Sequence, residues 1–279
     1  MKLFSVFFFL CFNVLFSQNI RVTYDYKFKI DSLNTENIDS EIMILDIFKN
    51  QSIFISQTKY VHDSLASERY DNQRINNSIP FDMDKSKVKE YITKDYLSHQ
   101  NLLHTQIGSQ SYIIPEKNLL KWKILKDIKT IKGINVQKAS TNFLGRNWIA
   151  WFSNEYTVQD GPYKFNGLPG LILELYDDSF SHHFTMLGIL KYKDKNYHYK
   201  SQVIKELEIT SQDFTKLWHD FLKNPSKNYV SQTSNSNIGM TITFDGKSYS
   251  ESEILREIEK REKEKYKKIN NFLDLELYQ

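Results

Sequence analysis

The feature that most constrains the fold of this chain is a series of short apolar runs with alternating polarity, separated by turn residues. In residues 21–30, four apolar side chains fall on the same face of a strand: Val22, Tyr24, Tyr26 and Phe28. Alternation at period two is typical of a half-buried β-strand. Turn signals recur roughly every 8 to 15 residues, a spacing that favours an antiparallel sheet, a sandwich or an open half-barrel.

Other runs of this kind predict further strands. They cover residues 41–48, 52–56, 87–96, 101–107, 111–115, 119–125, 134–143, 147–152, 171–176, 183–192, 197–200 and 240–244. A short polar turn separates the first two, which predict a hairpin. We interpret the polar stretch 59–86 as a long loop with at most a short helix, and the Ser/Asn-rich stretch 231–237 as a flexible loop.

A first helix is predicted over residues 211–223. Its apolar side chains fall at i, i+3, i+4 and i+7: Phe214, Leu217, Trp218 and Phe221. This spacing gives one apolar face, which we expect to pack on the sheet. Thr210 or Ser211 can cap its first turn, and Pro225 ends it.

A second helix is predicted to begin near Ser250 or Ser252 and to continue past Ile269. Its segment 259–265 is entirely charged. We expect that segment to be exposed on all sides, because burying unpaired charges is costly. The predicted fold class is therefore mainly β (α+β): an antiparallel sheet, sandwich or open half-barrel with two helices in the C-terminal half.

Composition limits the class of protein more than its function. Hydrophobic residues make up 40% of the 279 positions, as in globular proteins. No Pro/Gly/Ser-rich linker divides the chain, so we expect one domain over residues 19–279, with a charged helical tail at about 250–273. The net charge of +3 comes from 37 basic and 34 acidic residues. We expect no nucleic-acid partner, because the acidic residues nearly cancel the basic ones.

The N-terminus has the pattern of an export signal. Lys2 precedes an almost wholly apolar run at residues 3–16, which is too short to cross a bilayer as a helix. We expect residues 1–18 to be a signal peptide, cleaved near Ser17 or Gln18, and no transmembrane span in the mature chain. Cys11, the only cysteine, lies inside this run. Disulfides, thiolate catalysis and cysteine metal sites are therefore not expected in the mature protein.

The most distinctive segment spans residues 133–177. It contains two turn dipeptides, Gly161-Pro162 and Pro169-Gly170, and we expect the second to form a type II turn with positive φ at Gly170. Four aromatic residues stand beside this bend: Trp148, Trp151, Phe152 and Phe165. The bend is either a structural corner of the sheet or a ligand-binding bend. The two tryptophans lie three residues apart and face opposite sides of a regular strand, so we expect one of them to be exposed.

This segment resembles the central block of the GLPGLI family of exported bacterial proteins. The resemblance rests on family-motif residues across the segment: Gln137, Lys138, Ala139, Gly145, Arg146, Trp148, Trp151, Gly161, Pro162, Lys164, Phe165, Gly167, Leu168, Pro169, Gly170, Leu171 and Ile172. It implies a periplasmic or cell-envelope protein of unestablished activity, with a link to outer-membrane receptors of the TonB-dependent type. Val136 and Thr141 stand where many members have cysteine, so a thiol role in this block cannot apply here.

Candidate chemistry is sparse. We assign no catalytic residue, no metal ligand and no cofactor: the seven histidines form no HExxH motif, and no GxSxG motif occurs. Asp177 and Asp178 are interpreted as solvated turn residues. The candidate ligand-facing residues are Arg146, Trp148, Trp151 and Lys164. Arg146 and Lys164 either hold an anionic group of a ligand or pair with Asp160 and Glu174 at the surface, and we favour the surface pairs.

Three functions remain open at this point. The first is a non-enzymatic binding or accessory protein that is linked to envelope transport and takes a hydrophobic ligand. The second is an envelope hydrolase acting on peptides or glycans, with an acid/base pair that the sequence does not locate. The third is an interaction module that docks onto a receptor through its C-terminal helix. A cavity of several hundred Å3 would favour the first.

Overall fold

The computed structural model describes residues 19–73, 84–117, 120–193, 205–227, 242–244 and 247–279. The predicted signal peptide at 1–18, the predicted strand 197–200 and the predicted loop 231–237 lie outside the described residues. The predicted strand 240–244 is described only from Ile242.

The described chain is mainly β, as predicted. Its strands are β1 (Asn19–Phe28), β2 (Asp39–Ile47), β3 (Gln51–Ser56), β4 (Tyr91–Asp95), β5 (Gln100–Ile107), β6 (Gln110–Lys117), β7 (Lys123–Ile131), β8 (Ile134–Phe143), β9 (Arg146–Ser153), β10 (Leu171–Asp177), β11 (His182–Tyr192), β12 (Glu206–Glu208), β13 (Ile242–Phe244) and β14 (Lys247–Tyr249). Its helices are α1 (Gln57–Gln73), α2 (Ser211–Lys223), α3 (Glu251–Lys268) and α4 (Leu275–Tyr278).

Twelve of these strands form one open sheet, in the order β12-β6-β5-β4-β3-β2-β1-β11-β10-β9-β8-β7. Strands β1 to β6 are a meander, and β7 to β11 are a second meander. The two are joined where β1 pairs antiparallel with β11, from Asn19 opposite Tyr192 to Phe28 opposite His182. Within the described residues only β12, beside β6, runs parallel to its neighbour. Strands β13 and β14 form a separate hairpin.

The main core lies on one face of this sheet. Alternation along β2 sends Met43, Leu45 and Ile47 into it, whereas Ile44 packs on the opposite face with Ile53, under α1. The main core is rich in aromatic rings, among them Tyr24, Phe54, Trp148, Phe165 and Phe184.

The predicted face of α2 packs on the main core. Thr210 caps the helix by accepting from the backbone N–H of Asp213. Phe214, Trp218 and Phe221 are buried, whereas Leu217 is 40% exposed at the edge of the apolar face. The prediction for the charged part of α3 is wrong at one residue, because Glu262 is only 8% exposed. Lys265 lies 3.5 Å from that carboxylate and supplies a counter-charge.

Candidate functional site

The corner between β9 and β10 is built on a buried ion pair. Lys94 of β4 contacts the Asp160 carboxylate at 2.5 Å and donates to the carbonyl of Gly161 at 2.7 Å. Tyr96 donates to the other oxygen of Asp160. Burial lowers the pKa of Lys94, and the adjacent carboxylate opposes that shift. The corner is therefore fastened to the first meander by an almost fully buried ion pair and by the half-buried Tyr96.

The turn at the Pro169-Gly170 dipeptide differs from the predicted type II turn. The N–H of Gly170 donates to the carbonyl of Leu168 at 2.7 Å, which is the i to i+2 pattern of a γ-turn. Gly170 has φ 154°, instead of the value near +80° of a type II turn. A Cβ at Gly170 would lie 2.1 Å from the carbonyl oxygen of Ser153. Glycine is required here because the backbone of β9 passes too close for any side chain.

The prediction that one tryptophan is exposed is wrong. Trp148 is fully buried against Phe165, with ring centroids 4.7 Å apart. Trp151 lies on the other face of β9 and is nevertheless only 8% exposed. The ammonium groups of Lys129 and Lys138 lie 4.3 and 5.8 Å from its ring centroid. Two lysines therefore cover the ring through cation–π contacts, and the ammonium of Lys129 also pairs with Glu174.

The predicted surface pairs of Arg146 and Lys164 are also wrong. The Lys164 ammonium is completely buried and lies 2.7 Å from both Glu116 and Asp274. Arg146 contacts Asp177 at 3.2 Å and donates to the carbonyl of Phe272 at 2.7 Å. These partners lie far away in the sequence, so periodicity could not reveal them.

Asp160 and Glu174 have other partners. Asp160 is paired with Lys94, and Glu174 binds Lys129 and His183. Asp177 is not a solvated turn residue either: it is 1% exposed and accepts from the backbone N–H of His182. Asp178 is exposed, as predicted.

Arg146 and Lys164 hold the C-terminal segment, defined here as residues 269–279, against the sheet. Arg146 also donates to Asn271 at 2.6 Å, and the N–H of Gly145 donates to Glu276 at 3.0 Å. A Cβ at Gly145 would lie 3.0 Å from Leu275, so the segment packs directly on this glycine. The candidate ligand-facing cations therefore anchor a piece of the chain itself.

Other motif residues have structural positions. The side chain of Gln137 donates to the carbonyl of Leu125 at 2.7 Å. A Cβ at Gly161 would lie 2.8 Å from that of Ile172, so these two residues are in close contact. Several of the remaining motif residues are buried in the main core: Ala139, Phe165, Leu168, Leu171 and Ile172.

The C-terminal segment covers a pocket of about 270 Å3 on the main core face of the sheet. We call it the C-terminal pocket. Its apolar walls are mostly aromatic and come from both meanders, α2, α3 and the C-terminal segment. The residues that form them are Tyr26, Phe28, Ile30, Met43, Phe54, Val88, Tyr163, Phe184, Trp218, Tyr266, Ile269, Phe272, Leu273 and Tyr278. Small-molecule sites are typically concave, mostly apolar and carry a few convergent polar groups.

Glu90 is the acidic group of the C-terminal pocket. It accepts from Thr105 at 2.9 Å and from the hydroxyl of Tyr278. Burial raises the pKa of Glu90, and those two hydrogen bonds oppose the shift. A carboxylate with a raised pKa inside an aromatic pocket is typical of a functional site, and structural networks can produce it too.

His182 and Tyr163 are two buried polar residues of the C-terminal pocket. His182 contacts the hydroxyl of Tyr26 at 2.8 Å through Nδ1. Burial, and then the charge of Arg146, lower the pKa of His182 to about 3, so it is neutral at physiological pH. The Tyr163 hydroxyl is buried without a hydrogen-bond partner among the described residues.

Sequence reasoning did not single out Glu90, Tyr163, His182 or Tyr278. Tyr163 lies in the distinctive segment, next to Lys164, and has a positive φ of 50°. Glu90 and Tyr278 are brought together only by the return of the C-terminal segment to the sheet. No local pattern marks that return.

A second pocket, of about 470 Å3, lies beside the corner at the ends of β2 and β4. Its lining is more polar and includes Asp95, His99 and Gln159, all exposed. Lys94 and Tyr96 also line it, but both are engaged by Asp160. The C-terminal pocket is the better candidate site because its walls are mostly aromatic and two of its polar residues, Tyr163 and His182, are buried.

Among the described residues, no group of three or more His, Cys, Asp or Glu side chains is arranged to hold a metal ion. None of the described helices has the length and apolar character needed to span a membrane.

Comparison with known proteins gives a local match. A family model described as a protein of unknown function (Porph_ging) matches residues 135–174, which include β8, β9 and the corner. No curated protein matches the chain.

Two solved structures are similar at 15% identity and a TM-score of 0.49: "Structure of PNGF-II in P21 space group" and "Structure of PNGF-II in C2 space group". Each match covers 72% of this chain, and 33% and 32% of the respective solved chains. This chain therefore spans about a third of the length of those proteins.

Proposed function

We propose that this protein binds a small apolar ligand in the C-terminal pocket and performs no chemical step on it. The observation that carries the proposal is an aromatic-walled pocket, partly closed by a segment that one buried ion pair and several hydrogen bonds hold in place. Lys164 with Asp274 and Arg146 with Phe272 fix that segment from one side. Trp218 of α2 supports it from the other side, with its ring centroid 5.1 Å from that of Tyr278.

The size of the pocket restricts the ligand. The volume of about 270 Å3 is just below the range of roughly 300–1,000 Å3 that is typical of small-molecule pockets. It suits a compact ligand of one to three rings or a short acyl chain. Burying such a ligand stabilises the complex by about 25 cal/mol for each Å2 of apolar surface removed from water.

The setting in the cell is part of the proposal. The GLPGLI string at residues 167–172 and the apolar run at 3–16 support assignment to the GLPGLI family and export to the periplasm or cell envelope. The local match to a family model of unknown function is compatible with that assignment. In this setting the protein serves envelope transport, as an accessory to a TonB-dependent receptor.

Ligand binding can be tested with the neutral fluorescent probe N-phenyl-1-naphthylamine. Val88 lines the C-terminal pocket and is half-buried, so Val88→Trp should fill the space without crossing the main core. We expect saturable fluorescence enhancement with the wild-type protein and at least a tenfold loss of affinity in Val88→Trp.

Ile128→Trp is the matched control. Ile128 is 71% exposed on β7 and does not line the pocket. It should bind the probe as the wild type does, and the thermal unfolding of both variants should confirm that they are folded. Equal probe binding by all three proteins, or none by the wild type, would refute the proposed function.

A further inference from the structure

Only one of the two carboxylate oxygens of Glu90 accepts a hydrogen bond from a described residue. Both of its described hydrogen bonds, from Thr105 and Tyr278, go to the same carboxylate oxygen, Oε1. Among the described residues no donor reaches Oε2, and Glu90 lines the pocket. The second oxygen is thus available to a group inside the pocket.

The charges around Glu90 do not balance. The buried cation whose charge acts on Glu90 is Lys164, which already pairs with Glu116 and Asp274. The charge of Lys164 lowers the pKa of Glu90, and the charge of Asp274 raises it. Three carboxylates therefore share one buried ammonium. The lysines at the rim of the pocket do not correct this, because Lys87, Lys89 and Lys265 lie within 2.7, 3.0 and 3.5 Å of carboxylates of their own.

Aromatic rings surround the same carboxylate. The hydroxyl of Tyr278 donates to it. Burial, and then the charge of this carboxylate, raise the pKa values of Tyr26 and Tyr163. Trp218 and Phe272 pack on Tyr278 with ring centroids 5.1 and 4.4 Å away. Aromatic faces attract cations through their quadrupoles, most strongly where water is excluded.

We infer that the ligand of the C-terminal pocket is an organic cation, an apolar amine or quaternary ammonium whose charge lies against Oε2 of Glu90 among these rings. This rests on the proposed function and specifies its ligand class. The cation would supply the missing counter-charge, while its apolar part would bury the remaining walls. A neutral molecule of the same shape would leave the carboxylate uncompensated.

The test compares benzyltrimethylammonium with its uncharged isostere neopentylbenzene, by protein-observed NMR titration. We expect the cation to bind at least tenfold more tightly than the isostere. Glu90→Gln keeps the shape of the side chain and should weaken the cation about tenfold while leaving the isostere unchanged. Glu208→Gln, at an exposed glutamate on β12, is the control for charge at a distance and should change neither affinity.

The outcomes separate the two proposals. If the isostere binds as tightly as the cation, or if Glu90→Gln does not weaken the cation, the inferred ligand class is wrong and the proposed function stands. If neither probe perturbs residues of the pocket, both are wrong. The comparison of the two probes on the wild-type protein does not depend on the folding of any variant.

Discussion

Gly170 shows how one residue can determine the geometry of a corner. Its backbone passes so close to β9 that an added Cβ would lie 2.1 Å from the carbonyl oxygen and 2.6 Å from the carbonyl carbon of Ser153. Backbone atoms cannot move aside as the end of a flexible side chain can. The requirement for glycine is therefore steric, and it holds although the turn is not the type II turn that the dipeptide predicted.

We predict that Gly170→Ala destabilises the protein by about 3 kcal/mol, because β9 and β10 must separate to admit the methyl group. Urea unfolding at constant pH measures this. Gly188→Ala is the matched control, since a Cβ there meets no atom within 4 Å, and its effect should stay within ~0.5 kcal/mol. Equal stabilities of the two variants would contradict the close approach.

His182 makes a prediction about pH. Its folded pKa of about 3 lies below the ordinary value of 6.5, so the unfolded chain binds the proton more readily. The contribution of His182 to stability is therefore complete above pH 6.5 and is lost as the pH falls towards 3. We expect a loss of about 1.5 kcal/mol between pH 6.5 and 5.

Comparison with His182→Gln isolates this loss, because the other titrating groups remain in both proteins. Urea unfolding at several pH values should show a shallower dependence on pH for the variant over that interval. Parallel curves for the two proteins would mean that His182 titrates normally in the folded state.

Residue positions were predictable where the pattern was local. The three buried residues of α2 follow from their spacing, and the opposite orientations of Trp148 and Trp151 follow from the strand period. Exposure was less predictable: Trp151 is covered by two lysines, and Asp177 is buried by partners that the sequence does not reveal. Covering groups from distant strands decide burial, and no single-strand pattern contains them.

At the scale of elements, a buried ion pair helps to hold the C-terminal segment on the sheet. Lys164 and Asp274 lie 110 positions apart and meet at 2.7 Å with almost no exposure. Removing one partner of a buried ion pair leaves the other charge without compensation, which typically costs about 3–5 kcal/mol.

We predict that Lys164→Met destabilises the protein by about 3–5 kcal/mol. Asp274 and the half-buried Glu116 would both lose the buried ammonium that they contact. Chemical denaturation measures the change. Lys216→Met removes an exposed lysine paired with Asp213 and should change stability by less than ~0.5 kcal/mol. If Lys164→Met were as mild as this control, the ion pair would not anchor the segment.

The prediction of whole elements failed where a helix or strand has a mostly polar sequence. Helix α1 occupies residues 57–73 and overlaps the stretch 59–86, which we interpreted as a long loop with at most a short helix. The full length of the helix was missed because its sequence has almost no apolar stripe. Strand β7 extends to Ile131, well beyond the predicted end at 125. As the edge strand of the described sheet it is mostly exposed and rich in lysine, a composition that discourages pairing with other chains.

At the scale of the molecule, the sheet depends on one long-range pairing. Two meanders form from neighbouring strands, and β1 joins them by pairing with β11, more than 150 residues away. Antiparallel strands and short turns made the fold class predictable from the sequence. The order of the strands, the open edges and the return of the C-terminal segment depend on contacts between distant residues, so they were not predictable.

The candidate site belongs to this scale, because no single element contains it. The distinctive segment contributes Tyr163 and the two anchoring cations, the first meander contributes Glu90, and the C-terminal segment contributes Tyr278. The motif residues Arg146 and Lys164 therefore hold the C-terminal segment in place but do not line the pocket. This explains why its conspicuous residues pointed to the right region but to the wrong contacts.

The most direct test of the account is hydrogen exchange measured by mass spectrometry, with and without saturating N-phenyl-1-naphthylamine. Because the C-terminal segment closes the pocket, we expect added protection at residues 265–279 and around Glu90, with none at the second pocket near Asp95. The Val88→Trp variant should show no such change. Protection that appears at residues 95–99 and 157–167 instead, or protection of residues 265–279 that persists in Val88→Trp, would contradict a ligand site beneath the C-terminal segment.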